Sequence, residues 1–199
     1  SLEDAREAYD FLTEERLDLH ETVVVPLEGK TVLPIQYRNV GKVAFKAYPV
    51  DLQVLFAVRK SLSGLHDVDL SGIVPAYAWT KSFADGKDHR GHRQEVALPV
   101  EAGKPGAWLV VAKAGDHEAK TLVIKTDLVV VLQRVGEKVR VYVTDKAGAN
   151  VAGAYVTVSD GTRIRARGIT DGRGLFEAPG VGSSAAVVVS DGDAYAIAR

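Results

Sequence analysis

From Thr22 onward, apolar positions alternate with polar ones in short runs separated by compact turns bearing Gly, Asp or Pro. The clearest stretch runs from Val139 to Pro179. Val139, Val141 and Val143 fall on one side of a pleat, and Arg140, Tyr142 and Thr144 on the other, because successive strand side chains point to opposite faces. The turn Asp145-Lys146-Ala147-Gly148 follows, then Ala154–Val158, a tight Asp160-Gly161, Arg163–Gly168, Thr170–Gly174 and Leu175–Ala178. A period of two broken at such intervals predicts an all-β chain of antiparallel, immunoglobulin-like sandwiches. Modules of this kind usually support or bind; they seldom catalyse.

Earlier runs extend the pattern. Strands are expected at Thr22–Pro26 and Thr31–Tyr37, around the turn Glu28-Gly29-Lys30. Val43, Phe45 and Ala47 alternate with Lys42, Ala44 and Lys46, which leaves one face of that strand wet. Further strands are expected at Ala76–Phe83, Arg93–Pro99, Ala107–Ala114 and Lys120–Lys125, with the turn Gly103-Lys104-Pro105-Gly106 before Trp108. Leu128–Gln133, Ala185–Ser190 and Ala194–Ala198 continue the series.

Two segments carry helical spacing instead. In residues 1–19, Leu2, Ala5, Tyr9 and Leu12 form a stripe, with Glu3, Asp4, Arg6, Glu7 and Asp10 on the other faces. This predicts a short amphipathic helix, read as the tail of an upstream segment or as a helix resting on the first domain, with a partner-binding helix as the alternative. Leu52, Leu55, Phe56 and Arg59 follow Asp51, a residue suited to cap the first free amides of a helix. The organisation expected is a helical segment over 1–21, one sandwich over 22–126 and a second over 127–199. Only Thr126 and Asp127 separate the two apolar runs at the join, so the sandwiches should keep a narrow range of relative angles.

The length of 199 residues suits two modules better than one small sandwich, and 46% apolar residues suffice for packed cores. A net charge of −1 provides no global field for nucleic acid or an anionic membrane. No apolar run approaches the roughly 20 residues that span a bilayer, so no direct membrane insertion is expected. The opening SLEDAREAYDFL lacks the basic and apolar regions of a signal peptide. With no Met anywhere, the sequence reads as an internal segment of a longer one. The absence of Cys removes disulfides, thiolate metal sites and cysteine nucleophiles together.

Several constellations invite a chemical reading. His89 and His92, with nearby carboxylates, have ligand types that suit Zn²⁺, but Lys87, Arg90 and Arg93 oppose a divalent cation. A solvated hairpin loop over Ala84–His92 is the better reading. Asp67 and Asp69 present two carboxylates where Ca²⁺ needs six or more oxygens. His20 and His117 stand alone beside acidic residues and are expected at the surface. Neither Ser61-Leu62-Ser63-Gly64 nor Gly182-Ser183-Ser184 has the strand–turn–helix context of a nucleophile elbow. Arg163, Arg165 and Arg167 alternate, with Arg173 on the next turn. They suit a solvated face that protects a strand edge, or a contact with an acidic protein partner; no interleaved aromatics are present for stacking on bases. Trp79 and Trp108 occupy apolar runs and are assigned to the core, although a carbohydrate-stacking platform would use the same residue type. Gly161, Gly172 and Gly174 are placed in turns needing positive φ. No catalytic, cofactor-binding or metal-ligating residue is assigned, and no cofactor is expected.

A family resemblance enters at three places. Tyr37-Arg38-Asn39-Val40, Val43–Tyr48 and Val50-Asp51-Leu52 resemble the opening strands of macroglobulin-like domains in bacterial alpha-2-macroglobulin-family proteins. Pro105–Val110 and Lys125–Val130 are similar to the family's late strands and its passage into the next domain. Val141–Asp145, Gly148 and Val151–Val156 resemble the turn and strand opening the following domain. Asn150 departs from the Pro often found before Val-x-Gly-Ala, and the Cys-x-Glu-Gln thioester motif cannot occur here because the chain has no Cys. The resemblance implies tandem, non-catalytic macroglobulin-like domains from the first half of such a protein. The parent would trap or inhibit peptidases in the periplasm or at the cell surface, and this segment would contact its neighbouring domains as scaffold. An adhesin-like or carbohydrate-binding pair, or accessory domains of a larger enzyme, are the alternatives.

Overall fold

The computed structural model describes residues 2–64, 66–84, 88–181 and 184–199. A helix, α1 (Leu2–Thr13), precedes two β-sandwiches. The first is built from β1 (Arg16–Leu19), β2 (Thr22–Val25), β3 (Val32–Arg38), β4 (Lys42–Pro49), β5 (Tyr77–Ser82), β6 (His92–Ala97), β7 (Gly106–Ala114) and β8 (His117–Lys125), with helix α2 (Leu52–Arg59) after β4. One sheet has the order β1-β3-β6 and the other β2-β8-β7-β4-β5. Leu33, Ile35, Val43, Phe45, Trp108, Val110 and Ala112 fill the layer between them. Trp79 stacks on Phe45 at 5.1 Å between ring centroids, so both tryptophans belong to the core.

The second sandwich comprises β9 (Val129–Val135), β10 (Lys138–Thr144), β11 (Tyr155–Ser159), β12 (Ile164–Ile169), β13 (Leu175–Ala178), β14 (Ala186–Asp191) and β15 (Ala194–Ala198). Its sheets have the orders β13-β10-β9 and β12-β11-β14-β15. Val139, Val141 and Val143 face Val156, Val158, Val187 and Val189 across a closed core. These are the alternate positions of the Val139–Thr144 pleat, and the polar Arg140, Tyr142 and Thr144 lie on the other side.

Three sequence expectations require correction. The helix in residues 1–19 stops at Thr13, and Arg16–Leu19 is a strand paired with β3. Leu17 and Leu19 alternate with Arg16 and Asp18, so one side of this short segment enters the first core, where Leu17 is buried. The stripe on α1 is also not covered: Ala5, Tyr9 and Leu12 are all exposed, and the side chain of Leu2 lies outside the described residues. The end of the helix is fastened by Asn39 Nδ2 donating to the carbonyls of Leu12 and Glu14 and by the Arg38 guanidinium lying 4.6 Å above the Phe11 ring. Finally, one strand pair is parallel: β2 runs alongside β8. Because the chain leaves β2 for the opposite sheet, no hairpin fixes the direction of this edge strand.

Gly161 and Gly174 take φ of +91° and +68°, whereas Gly172 has no positive φ. Gly174 is the tighter position, since a Cβ there would sit 2.4 Å from the Val143 carbonyl oxygen. Gly161 has open space around it. Gly174→Ala is therefore expected to cost roughly 2–5 kcal/mol, backbone strain plus overlap, and Gly161→Ala only about 1–2 kcal/mol. Urea unfolding followed by circular dichroism should rank the two variants in that order, and equal losses would contradict it.

Candidate functional site

The feature that distinguishes this pair of sandwiches lies between them. In an ordinary sandwich, one face of each sheet is buried and the other meets water. Here the outer face of the five-stranded sheet presents Ala107, Leu122 and Ile124, and the outer face of the four-stranded sheet presents Ala186 and Val188. Together with Leu52, Phe56 and Leu62, they form one cluster of buried side chains, flanked by the partly buried Ile164, Tyr195 and Ile197. A third apolar layer thus joins the two sandwiches.

Helix α2 is the wedge in that layer. Asp51 starts it by accepting from the amides of Gln53 (2.9 Å) and Val54 (3.1 Å). Lys60 ends it in a left-handed conformation and donates its amide to the Phe56 carbonyl. Leu52 and Phe56 stand one turn apart on the same side and are both wholly buried. Burial of each such side chain stabilises by about 1.5–3 kcal/mol.

Directional contacts fix how the layer is assembled. Gln53 Nε2 lies 3.2 Å from the Tyr155 carbonyl, 3.3 Å from the Val188 carbonyl and 3.1 Å from Ser190 Oγ. At the other end of α2, Ser159 Oγ donates to the Lys60 carbonyl. The connection between the sandwiches is held as well. Asp127 accepts from the Leu27 amide at 3.1 Å, and Lys146 Nζ reaches Asp127 at 3.0 Å and Glu28 at 3.3 Å. The Leu27 amide, and then Lys146, hold the Asp127 carboxyl below the usual carboxylate range; Asp127 and Glu28 in turn raise Lys146. Lys125, at the end of β8, is wholly buried and donates to the Glu101 carbonyl at 2.8 Å.

The residues that the sequence offered for chemistry are dispersed. His92 Nε2 is 3.1 Å from Asp88 Oδ1 and its ring stacks on Tyr37, while His89 Nδ1 is 3.0 Å from Asn39 Oδ1. The two rings are thus each committed to a different partner, and Asp85, Gly86 and Lys87 of that loop lie outside the described residues. The Asp67 carbonyl accepts from Arg59, and Asp69 Oδ1 accepts from the Ser71 amide at 2.9 Å. Among the described residues, no group of three or more His, Asp or Glu side chains is arranged to hold a metal ion. His66 Nδ1 sits 3.6 Å from Glu21 Oε1. Arg165 is paired with Asp160 and Arg173 with Asp171, on and beside the edge strand β12, and Arg163 lies just outside it. Gly182 and Ser183 lie outside the described residues.

The inter-sandwich layer went unrecognised in the sequence, although a signal for it was present. Leu122-Val123-Ile124 and Ala186-Val187-Val188-Val189 break the alternation with continuous apolar runs. A short continuous run marks a strand covered on both faces. Val123, Val187 and Val189 fill the sandwich cores, and Leu122, Ile124, Ala186 and Val188 fill the layer between. Gln53, Ser159 and Lys146 carry no sequence signature of their roles.

Comparison of the whole structure with solved ones places this architecture. It matches a crystal structure of native alpha-2-macroglobulin from Escherichia coli spanning domains NIE-MG1, with a TM-score of 0.71 and 17% identity over 94% of this chain and 97% of that one. The fold of this chain is similar to that of bacterial alpha-2-macroglobulin domains. A longer Escherichia coli structure spanning domains MG0-NIE-MG1 matches with a TM-score of 0.71 and 15% identity over 94% of this chain. A mutant of Salmonella alpha-2-macroglobulin matches with a TM-score of 0.66 and 16% identity over 92% of this chain. The chain spans 64% of the three-domain structure and 12% of the Salmonella one. No protein-family model matches the sequence, and no curated protein sequence matches it. No helix among the described residues is long and apolar enough to cross a membrane.

Two outcomes test the layer. Phe56→Ala is expected to lose about 3–5 kcal/mol of stability, the usual cost of emptying an aromatic core site, in denaturant titrations; a loss below about 1 kcal/mol would mean that α2 contributes little. Because the folded Asp127 carboxyl titrates below its unfolded value, its contribution is present above the unfolded pKa and disappears as pH falls through the folded one. Asp127→Asn should therefore flatten the fall of melting temperature on acidification below about pH 4, and an unchanged slope would refute the role given to this carboxylate.

Proposed function

We propose that this chain serves as two non-catalytic framework domains of an alpha-2-macroglobulin-like protein, divided at residues 126–127. In chain order, the first sandwich takes the place of NIE and the second that of MG1. The observation that carries this reading is the apolar layer centred on Phe56, which holds the two sandwiches face to face. A framework transmits position only if its units do not swivel. A three-residue connection between β8 and β9 and a buried interface both oppose swivelling. By this reading the parent traps peptidases in the periplasm or at the cell surface, and other parts of it make the contact with the peptidase. The immediate partners of this chain are then neighbouring domains of the same polypeptide. No bond is made or broken by residues of this chain.

Small-angle scattering of the purified chain should fit one rigid arrangement of the two sandwiches. A Gly/Ser insertion after Thr126, combined with Val188→Asp to break the layer, should broaden the distribution of interdomain distances while each sandwich keeps its circular dichroism. The isolated chain should leave a general peptidase fully active on both small and large substrates. Scattering by the native chain as two freely jointed bodies would overturn the framework role, and stoichiometric inhibition by the isolated chain would overturn the assignment of inhibition to other parts of the parent.

A further inference from the structure

The part of the five-stranded sheet that the second sandwich does not cover carries a groove of about 500 Å³. Its floor is the outer face of β4, β7 and β8, and residues 69–71 form one wall. Strand register places the side chains. Lys46, Val111 and Lys120 lie side by side in one row across the three strands, and Ala44, Lys113 and Glu118 in the next. Ala44, Tyr48, Leu70 and Val111 form an apolar strip among the charged residues of the lining, beside which the ammonium groups stand.

The charges in this groove are unevenly satisfied. Lys120 is paired with Glu118 at 3.4 Å and lies near Asp69. Among the described residues, the side chains of Lys46 and Lys113 have neither a hydrogen-bond partner nor an ion pair. They lie on neighbouring strands in diagonal register, since Lys46 faces Val111 and Lys113 is two residues further along. Diagonal neighbours on one face are about 7–8 Å apart. In an extended peptide, alternate side chains on one face are separated by about 7 Å. The two lysine positions thus match the spacing of alternate residues in such a peptide. The residues between would turn away, and an apolar neighbour further along would meet Val111 and Leu70.

We propose that this groove is a binding site for an extended acidic segment of a protein chain, taken with its carboxylates on Lys46 and Lys113. A compact phosphate suits the site less well. The groove has no guanidinium fork, and the Ser71 amide is already used by Asp69, whereas tight phosphate recognition draws on forks and converging amides. The Asp69 and Glu118 carboxylates sit beside Lys120 and give the groove a direction, with carboxylates bound away from them. The site lies on the first sandwich alone, so it stands or falls separately from the framework role.

The experiment uses the whole chain at low salt and a fluorescent hexapeptide of alternating glutamate and valine. Binding is read by anisotropy, and its location by amide shifts in ¹⁵N-labelled protein. Saturable binding with shifts confined to β4, β7, β8 and residues 69–71 is expected. Lys46→Ala combined with Lys113→Ala should weaken it about five- to tenfold, as expected for two exposed charge contacts, whereas Lys138→Ala on the other sandwich should not. The paired Lys→Arg variant should retain binding, which separates loss of charge from loss of fold. Absence of saturable binding, shifts elsewhere, or full affinity in the double alanine variant would each overturn the site. Inorganic triphosphate binding the same residues as tightly as the peptide would overturn the peptide assignment.

Discussion

The apolar attraction that holds the two sandwiches in one arrangement passes through the face where sheet meets sheet. Apolar burial supplies the attraction, but it has no direction of its own, and two flat faces joined only by valine and leucine could slide. Helix α2 removes that freedom. Its Leu52 and Phe56 occupy depth between the sheets, while the Gln53 amide finds acceptors on both β11 and β14. The helix can reach all of these only in one register. Attraction and register are therefore supplied by different atoms of the same short element.

The composition of the strands at that face follows from having two cores to fill. A strand in a simple sandwich feeds one core with alternate residues. β8 over Leu122–Ile124 and β14 over Ala186–Val189 feed two, so their inner and outer positions there are both apolar. The same reasoning explains the loss of a polar face there and its retention at β4 and β10, where Lys46 and Arg140 still meet water. Burial of Lys125 at the end of β8 fits the same scheme: its stem lies among covered residues and its ammonium reaches a backbone carbonyl at the margin.

Local pattern made much of the fold readable in advance. The strands of both sandwiches, the helix after β4 and the Asp51 cap all follow from alternation, helical spacing and capping chemistry, which are properties of a few neighbouring residues. β1 was hidden because four residues carry too little periodicity to compete with the stripe running through 1–19. The parallel placement of β2 depends on a sheet partner about a hundred residues away, which no local pattern encodes. The interface was half legible. Its apolar runs were visible as exceptions to alternation, but their doubled role depends on which sandwich lies opposite. Its polar contacts were illegible, since one glutamine on a helix is chemically like any other until Tyr155 and Ser190 are set beside it.

The division of surfaces carries the functional meaning further than any single residue does. One face of each sandwich is spent on the other, and the faces left over differ in character. On the first sandwich the Lys46 and Lys113 side chains stand without a charged partner on the outer face, while on the outer face of β10 and β13 the charges are paired locally, Arg140 with Glu177, and Arg173 beside them with Asp171. Locally paired charges raise solubility without offering much to a partner, because any new contact must first break an existing one. The Lys46 and Lys113 ammonium groups have no such contact to lose. The pair is thus asymmetric: a buried apolar layer joins its units, and the charges of its two outer faces are satisfied differently.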